Sequence, residues 1–188
     1  MTLFLILFAT ILIGPFVMST GEWSIHKYAM HTGWWFLTFP FNAHDQTHHP
    51  MFSGKKYLLK DRPGEEIEEA SGKIMMAKWA FAVVIPVGTL PFMLVASPFA
   101  LFFDWWAPAF VIVSIGAFYA TLNYIIYEII HLRFHNPRGW RIEKWPVIQW
   151  LNEQHQGHHN DSETNLNVVF PFADWLFGTL RTRAQATS

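Results

Sequence analysis

The chain of 188 residues is strongly apolar, with 52% hydrophobic and only 14% charged residues, whereas a typical soluble domain carries about 25% charged residues. Its net charge of −1 offers no general basic face for nucleic acid. The absence of Cys excludes disulfides, iron–sulfur clusters, thiolate zinc sites and a cysteine nucleophile. The length predicts a single domain over residues 1–188.

Three apolar runs predict membrane-spanning helices. Residues 1–21 carry no charged side chain, and two further uncharged runs cover residues 79–103 and 105–127. A bilayer core of about 30 Å needs roughly 20 apolar residues in a helix, so each run is long enough. The first run lacks the basic start of a signal peptide, and we expect a retained helix. The sequence therefore predicts an all-α integral membrane protein with about three to four transmembrane helices.

The basic residues indicate how the chain is oriented. Seven of the 13 Lys and Arg lie in residues 27–78 and six in residues 133–188. Because cytoplasmic loops accumulate Lys and Arg, we expect both segments on the cytoplasmic side, where they form a helical cap, and Asp104 on the opposite side. The lack of tails or appended domains favours a bacterial inner membrane over the endoplasmic reticulum. The one charge-dense stretch, residues 53–73, predicts a solvated loop or surface helix.

All ten histidines fall into four short clusters. A lone histidine is usually a core or surface residue, but ten of ten in four clusters is a different pattern. Each cluster lies in a predicted cytoplasmic segment or at its membrane edge. The clusters are HKYAMH (His26 and His31), HDQTHH (His44, His48 and His49), HLRFH (His131 and His135) and HQGHH (His155, His158 and His159).

The spacing within these clusters suits metal ligands. Helix positions three or four apart lie on one face, which predicts three pairs: His44/His48, His131/His135 and His155/His158. His49 and His159 are rotated by about 100° from their neighbours, so we expect them to reach a second ion. His26 and His31, five apart, are poorly placed to bind one ion from a straight helix. The pattern predicts ten ligands for two ions, and neutral imidazole suits Zn, Cu, Fe and Ni.

The box set HX4H, HX3HH, HX3H and HX2HH resembles the histidine boxes of the fatty acid hydroxylase/sterol desaturase superfamily of membrane proteins. The tail NLNVVFPFADWLFGT, from Asn165 to Thr179, is similar to the ending of that superfamily, and the resemblance covers Glu22 to Leu180. HKYAMH is also similar to the first box of bacterial carotenoid hydroxylases. The resemblance implies one membrane-bound, fatty acid hydroxylase-like domain with a non-haem di-iron site.

That resemblance also implies the chemistry. Two iron ions would use O2 and two electrons to oxidise an unactivated C–H bond of a lipid, whereas zinc, which has no accessible redox chemistry, would be an inert replacement. A site at the membrane edge lets a lipid tail reach the ions without leaving the hydrocarbon.

The electrons need an external source. The sequence has no flavin or nicotinamide fingerprint, no Cys for an iron–sulfur centre and no spare histidine for a haem, so we expect a separate electron donor protein. Four cations are candidates for its docking patch, or for a face attracted to anionic lipid: Lys55, Lys56, Arg138 and Arg141.

Several further side chains are candidates to support the ligands. Glu128 ends an apolar run three residues before His131, where an ionisable group is costly and usually functional. We expect it to orient a ligand or to bind metal, the alternative being an interfacial carboxylate. Other candidates to accept the second ring N–H of a ligand, or to be simply solvated, are Asp45, Glu153, Asp161 and Asp174. Asn165 and Asn167 match the superfamily's region after the last box, and a turn role is equally open.

Three classes of function remain open at this point. The first is lipid hydroxylation, and the second is desaturation or carotenoid hydroxylation at the same site. The third is a histidine-rich metal transporter or sensor without enzymatic activity. Transporters place their ligands near the bilayer midplane, whereas every cluster here lies outside the apolar runs or at their ends, which favours the enzyme.

Overall fold

A computed structural model describes residues 2–33 and 38–181 of the chain. Within these residues the regular secondary structure is entirely helical, as the sequence predicted. The end of the second basic segment, residues 182–188, lies outside the described residues. The α-helices are α1 (Thr2–Ser24), α2 (Thr38–Ala43), α3 (His49–Met51), α4 (Gly64–Ser71), α5 (Phe81–Phe103), α6 (Trp106–His135), α7 (Pro146–Asn160) and α8 (Phe172–Leu176).

Three helices are long and apolar enough to cross a membrane. The prediction that the three apolar runs form helices of membrane-spanning length is therefore confirmed. The first span ends at His31 and the third at His135, so two histidine clusters lie on the last turns of spanning helices. In residues 2–33 and 38–181 the spans are Leu3–His31, Phe81–Phe103 and Trp106–His135.

Two short π-helices interrupt the α-helical pattern, at Ile25–His31 and at His44–His48. A π-helix has i→i+5 hydrogen bonds instead of the i→i+4 bonds of an α-helix and often marks a functional site. Two threonine hydroxyls adopt the same five-residue register: Thr32 Oγ1 donates to Lys27 O at 2.9 Å and Thr47 Oγ1 to Asn42 O at 2.7 Å. Short 3₁₀-helices occur at Gly54–Lys56, Leu59–Asp61 and Arg141–Lys144.

One compact unit comprises Met1–Gly21 and Ala77–Ile126. Its helices approach closely where small residues face large ones: a Cβ built on Gly116 would lie 2.5 Å from Cβ of Phe92. In a membrane the hydrophobic effect does not drive helices together, so their association depends on close van der Waals packing of this kind. The buried apolar residues of this unit include Met18, Ile112 and several alanines.

The other compact unit comprises Glu22–Met76 and Tyr127–Ser188. It holds all ten histidines and two small apolar cores. One core consists of Phe52, Leu59, Ala70 and Ile74, and the other of Trp23, Leu166 and Ala173. The single domain over residues 1–188 stays a prediction.

Candidate metal centre

The fold brings all ten histidines together in two groups of five. Within each group, every residue offers one ring nitrogen that lies within 4.8 Å of the others. Nine of the ten side chains are buried and His31 is half-buried. Group A consists of His26, His31, His44, His49 and His158, and group B of His48, His131, His135, His155 and His159.

The two π-helices build most of group A. It contains two pairs of histidines that are five residues apart, His26/His31 and His44/His49. In an α-helix, five residues correspond to a rotation about 140° away from a common face. The i→i+5 register of the π-helices removes this mismatch. His26 and His31, which are poorly spaced for one ion on a straight α-helix, thus lie in the same group.

Group B uses α-helical spacing instead. Its two pairs, His131/His135 on α6 and His155/His159 on α7, are four residues apart and share a helix face. The first of these pairs matches the expectation from the sequence.

The expected pairs His44/His48 and His155/His158 are wrong, because each pair is divided between the two groups. The π-helical register brings His44 together with His49 in group A, so that His48 belongs to group B. On α7 the four-residue spacing prevails over the three-residue one, and His158 is left to complete group A. Each group therefore has two pairs and one single histidine from a segment that serves both groups.

The two groups are in direct contact. The rings of His49 in group A and His159 in group B stack with centroids 4.3 Å apart. The rings of His48 and His49, which are consecutive in the chain, are 6.0 Å apart and nearly perpendicular. Two ions held by the two groups would thus be neighbours within one centre.

Backbone carbonyls and one carboxylate fix the protonation of several rings. In group A, Nδ1 of His26 bonds to Leu166 O, and Nδ1 of His158 donates to Thr164 O at 2.8 Å. In group B, Nδ1 of His48 donates to Lys73 O at 2.9 Å and Nδ1 of His135 to Tyr57 O at 3.0 Å. A carbonyl oxygen can only accept a hydrogen bond, so Nδ1 carries the proton. In the neutral ring Nε2 is then left with a bare lone pair, the form that binds metal.

These bare nitrogens converge. Nδ1 of His31 donates to Asp45 Oδ1 at 2.8 Å, so its Nε2 is bare like that of His158, and these two nitrogens lie 3.1 Å apart. Two facing lone pairs at that distance repel each other unless a cation lies between them. In group B, the bare Nε2 of His135 lies 3.1 Å from Nε2 of His155. Two nitrogens that bind one ion at about 2.1 Å and at a right angle are about 3 Å apart, which matches these distances.

Two further ring nitrogens, both in group B, also indicate a bound cation. Nε2 of His48 and Nε2 of His131 are buried without a hydrogen-bond partner among the described residues. An unsatisfied buried polar atom costs about 1–3 kcal/mol, so two of them in one group point to a bound ligand. The donor set, all imidazole nitrogen, fits a transition-metal ion such as Zn, Cu, Fe or Ni.

The electrostatics also favours neutral imidazoles. Burial lowers the pKa of His49 from 6.5 to about 2, and nearby His31 adds to this effect. Burial likewise holds the pKa values of five further histidines well below 6.5, namely those of His44, His48, His155, His158 and His159. Since a ligand must be deprotonated to bind a metal ion, the folded chain presents the competent form.

The candidate supporting residues have different outcomes. Asp45 accepts the N–H of His31, as expected of a partner that orients a ligand. Asp174 accepts the backbone N–H of Leu166 at 2.8 Å and of Asn167 at 2.7 Å, and so steadies the segment whose carbonyl holds His26. Glu153 is exposed.

Asp161 supports His158 through its backbone carbonyl and not through its carboxylate, which accepts the N–H of Glu163 at 3.2 Å, and Asn165 forms a turn. Asp161 O accepts the backbone N–H of Thr164 at 3.1 Å, and Thr164 O in turn accepts from His158. Asn165 adopts a left-handed backbone with φ 51°, and its Oδ1 accepts the N–H of Arg181 at 2.7 Å. The turn role is therefore realised at Asn165, since Asn tolerates this conformation better than most residues.

Glu128 is buried but lies outside both histidine groups. Its Oε1 accepts the backbone N–H of Met76 at 3.3 Å, and its Oε2 has no hydrogen-bond partner among the described residues. Direct metal binding by Glu128 is therefore not a feature of this arrangement. An ionisable oxygen without a partner, one turn before His131, remains next to group B.

Several atoms that support the ligands could not be identified from the sequence. The charge-dense stretch 53–73, predicted as a solvated segment, carries exposed charges but supplies the Tyr57 and Lys73 carbonyls that fix His135 and His48. Backbone acceptors have no side-chain signature. Glu22, one turn before His26, accepts the N–H groups of Val168 at 2.5 Å and Val169 at 3.2 Å, and its position at the end of an apolar run could have indicated it.

Comparisons with models of known protein families, with curated proteins and with solved structures find no match to this chain. The geometry of the histidines therefore carries the functional conclusion.

The two groups predict two transition-metal ions per chain. His158→Ala removes a ligand of group A and His135→Ala one of group B, so each variant should lose about one of the two ions. Elemental analysis of protein purified in mild detergent measures this, with Asn160→Ala, an exposed neighbour of His159, as the control that keeps both ions. One ion or fewer in the intact original protein would contradict the two-ion assignment.

Acidification should destabilise the metal-free protein. Burial lowers the pKa of His44, His155 and His158 in the folded state, whereas in the unfolded chain they titrate near 6.5. Below that pH the unfolded chain binds more protons, so the free energy of unfolding falls as the pH falls. Thermal unfolding of chelator-treated protein should show a lower midpoint at about pH 5.5 than at about pH 7.5. An unchanged or higher midpoint at the acidic pH would refute this.

Proposed function

We propose that the chain is a membrane-bound non-haem di-iron oxygenase that hydroxylates a C–H bond of a lipid with O2 and electrons from a separate donor protein. The observation that carries this proposal is the pair of contacting five-histidine groups with convergent bare nitrogens. A single catalytic zinc site needs only three protein ligands, so ten ligands in two touching groups favour a dinuclear centre.

Iron is the metal that the proposed reaction requires. Bound iron would supply the redox chemistry with O2 that no side chain has, and the histidines of groups A and B would hold it. The chain itself performs the remaining tasks. Leu166, Thr164, Lys73 and Tyr57 keep the ring protons on the far nitrogens through their carbonyls, and burial of the rings excludes water from the site.

The placement of the ligands favours a lipid substrate. His26 and His31 lie at the end of the first span, and His131 and His135 at the end of the third. A centre built on the last turns of spanning helices lies at the edge of the hydrocarbon, where an acyl or sterol-like chain is already present. A metal transporter would hold its ligands nearer the midplane of the spans.

Glu128 is proposed to act beside the centre. Its Oε2 has no hydrogen-bond partner among the described residues, and it is available to hold a proton or to orient His131 one turn away. We propose that the centre faces the cytoplasm of a bacterial inner membrane, a sidedness that the Lys and Arg of the two basic segments favour.

Expression of the chain should change the lipids of a host cell. Lipid mass spectrometry of cells with the original chain should detect a lipid that has gained one oxygen, whereas cells with His135→Ala or His158→Ala should lack it because the centre is incomplete. Asn160→Ala is the control that retains the product. A product that has instead lost a hydrogen pair would indicate desaturation, and the absence of any modified lipid with metal-loaded protein would favour a metal-storage or transport role.

The proposed orientation can be tested with single cysteines, since the native chain has none. Lys60→Cys and Glu153→Cys lie at exposed sites in the two basic segments, and Ala107→Cys is exposed at the start of α6. A membrane-impermeant thiol reagent should label the first two from the cytoplasmic side and the third from the opposite side. Labelling of positions 60 and 153 from opposite sides would separate the histidine clusters and refute the proposed centre.

A further inference from the structure

Three tryptophans are exposed in the short segment that joins α6 to the interior of α7. Residues 138–150, here called the aromatic–basic segment, contain Trp140, Trp145 and Trp150, which are 51%, 57% and 37% exposed. Val147, between the last two, is 54% exposed. The later turns of α7 have one buried face, which carries three of the ligands. A soluble surface rarely presents so many large apolar side chains together.

The same segment is positively charged. Arg138, Arg141 and Lys144 are exposed, and the only acidic residue in this segment is Glu143. The Glu143 carboxylate is occupied locally, because it accepts the backbone N–H groups of Arg138 at 3.1 Å, Gly139 at 2.7 Å and Trp140 at 3.0 Å. Three exposed cations against one carboxylate leave the segment with a net positive charge.

Side-chain contact holds this segment to the end of a spanning helix. The guanidinium of Arg133, in the last turn of α6, lies 4.2 Å from the ring centre of Trp140. Arg133 also donates to the carbonyl of Asn136 at 3.4 Å. This contact keeps the ring of Trp140 beside the last turn of α6. In membrane proteins, tryptophan accumulates at the membrane–water interface, where spanning helices end.

A similar arrangement occurs at the end of the first span. In α8 and just after it, Trp175, Leu176 and Phe177 are 67%, 52% and 48% exposed. The ring of Phe177 lies 4.5 Å from that of Trp23, which belongs to the span Leu3–His31. Two separate segments thus combine exposed aromatics with a ring contact to the end of a spanning helix.

We propose that the aromatic–basic segment is an interfacial anchor that lies in the headgroup layer of the membrane and binds anionic lipid. Its tryptophans and Val147 enter the boundary with the hydrocarbon, and Arg138, Arg141 and Lys144 contact anionic headgroups. A protein partner is disfavoured, because charged residues are depleted from the core of a protein interface, whereas here the cations and the aromatics alternate along the chain as far as Trp145. This anchor does not depend on the proposed oxygenase reaction.

The anchor can be tested with a nitroxide spin label on the full chain in lipid nanodiscs that contain phosphatidylcholine and phosphatidylglycerol. Val147→Cys carries the label in the segment, and Glu68→Cys, an exposed site on α4, is the matched control. The ratio of collisions with oxygen to collisions with a water-soluble nickel chelate should be severalfold higher at position 147 than at 68. Equal ratios would overturn the proposal.

A charge-removal arm separates headgroup binding from apolar contact alone. Arg138→Gln, Arg141→Gln and Lys144→Gln together should lower the ratio at position 147 toward the control value, whereas Lys60→Gln and Lys78→Gln together, at exposed sites outside the segment, should leave it unchanged. Discs of phosphatidylcholine alone should lower the ratio in the same way. An unaffected ratio would overturn the assignment to anionic lipid.

A further readout from the same samples tests for contact between copies. Spectral broadening at position 147 that grows with the number of chains per disc would assign the segment to contact with a second copy and would overturn the anchor. Equal helical content and elution of all variants show that the fold is retained.

Discussion

The placement of ring protons is the constraint on which the centre depends. Each carbonyl that accepts from an Nδ1 commits the opposite nitrogen to a lone pair, and the fold gathers these nitrogens into two buried groups. Without a cation this arrangement combines electrostatic repulsion with unsatisfied polar atoms. The backbone around residues 57, 73, 164 and 166 is thus as much a part of the centre as the imidazoles are.

Helix register decides which ion each histidine serves. Where the chain follows a π-helix, residues five apart meet, and where it follows an α-helix, residues four apart meet. Segments 44–49 and 155–159 each serve both groups, because consecutive histidines diverge by about 100° on a helix. Because these two segments contribute histidines to both groups, no further segment is needed to complete either group, and the two groups must lie in contact.

Much of this arrangement could be predicted from the sequence, and the remainder has clear physical reasons. Apolar length revealed the three spans, and clustering revealed that the histidines act together. The rotation between adjacent histidines correctly predicted that His48/His49 and His158/His159 serve different groups. The pair His44/His49 was hidden because periodicity arguments assume α-helical register, and on α7 the three- and four-residue spacings both share a face, so periodicity could not choose between them. Partner carbonyls such as Lys73 O were not predictable, since any residue type supplies them. Asp45 was one of four carboxylate candidates near the ligand clusters, and only the structure shows that it is the one bonded to a ligand ring.

The partners of the ligands differ between the two groups, with a consequence for any pair of ions that they hold. In group A, His31 bonds to the Asp45 carboxylate, which makes its ring a stronger electron donor than one bonded to a carbonyl. In group B, the fixed rings bond to carbonyls, and Nδ1 of His155 and of His159 has no partner among the described residues. Two chemically identical ions would therefore be electronically inequivalent, and the ion in group A would be the harder one to reduce.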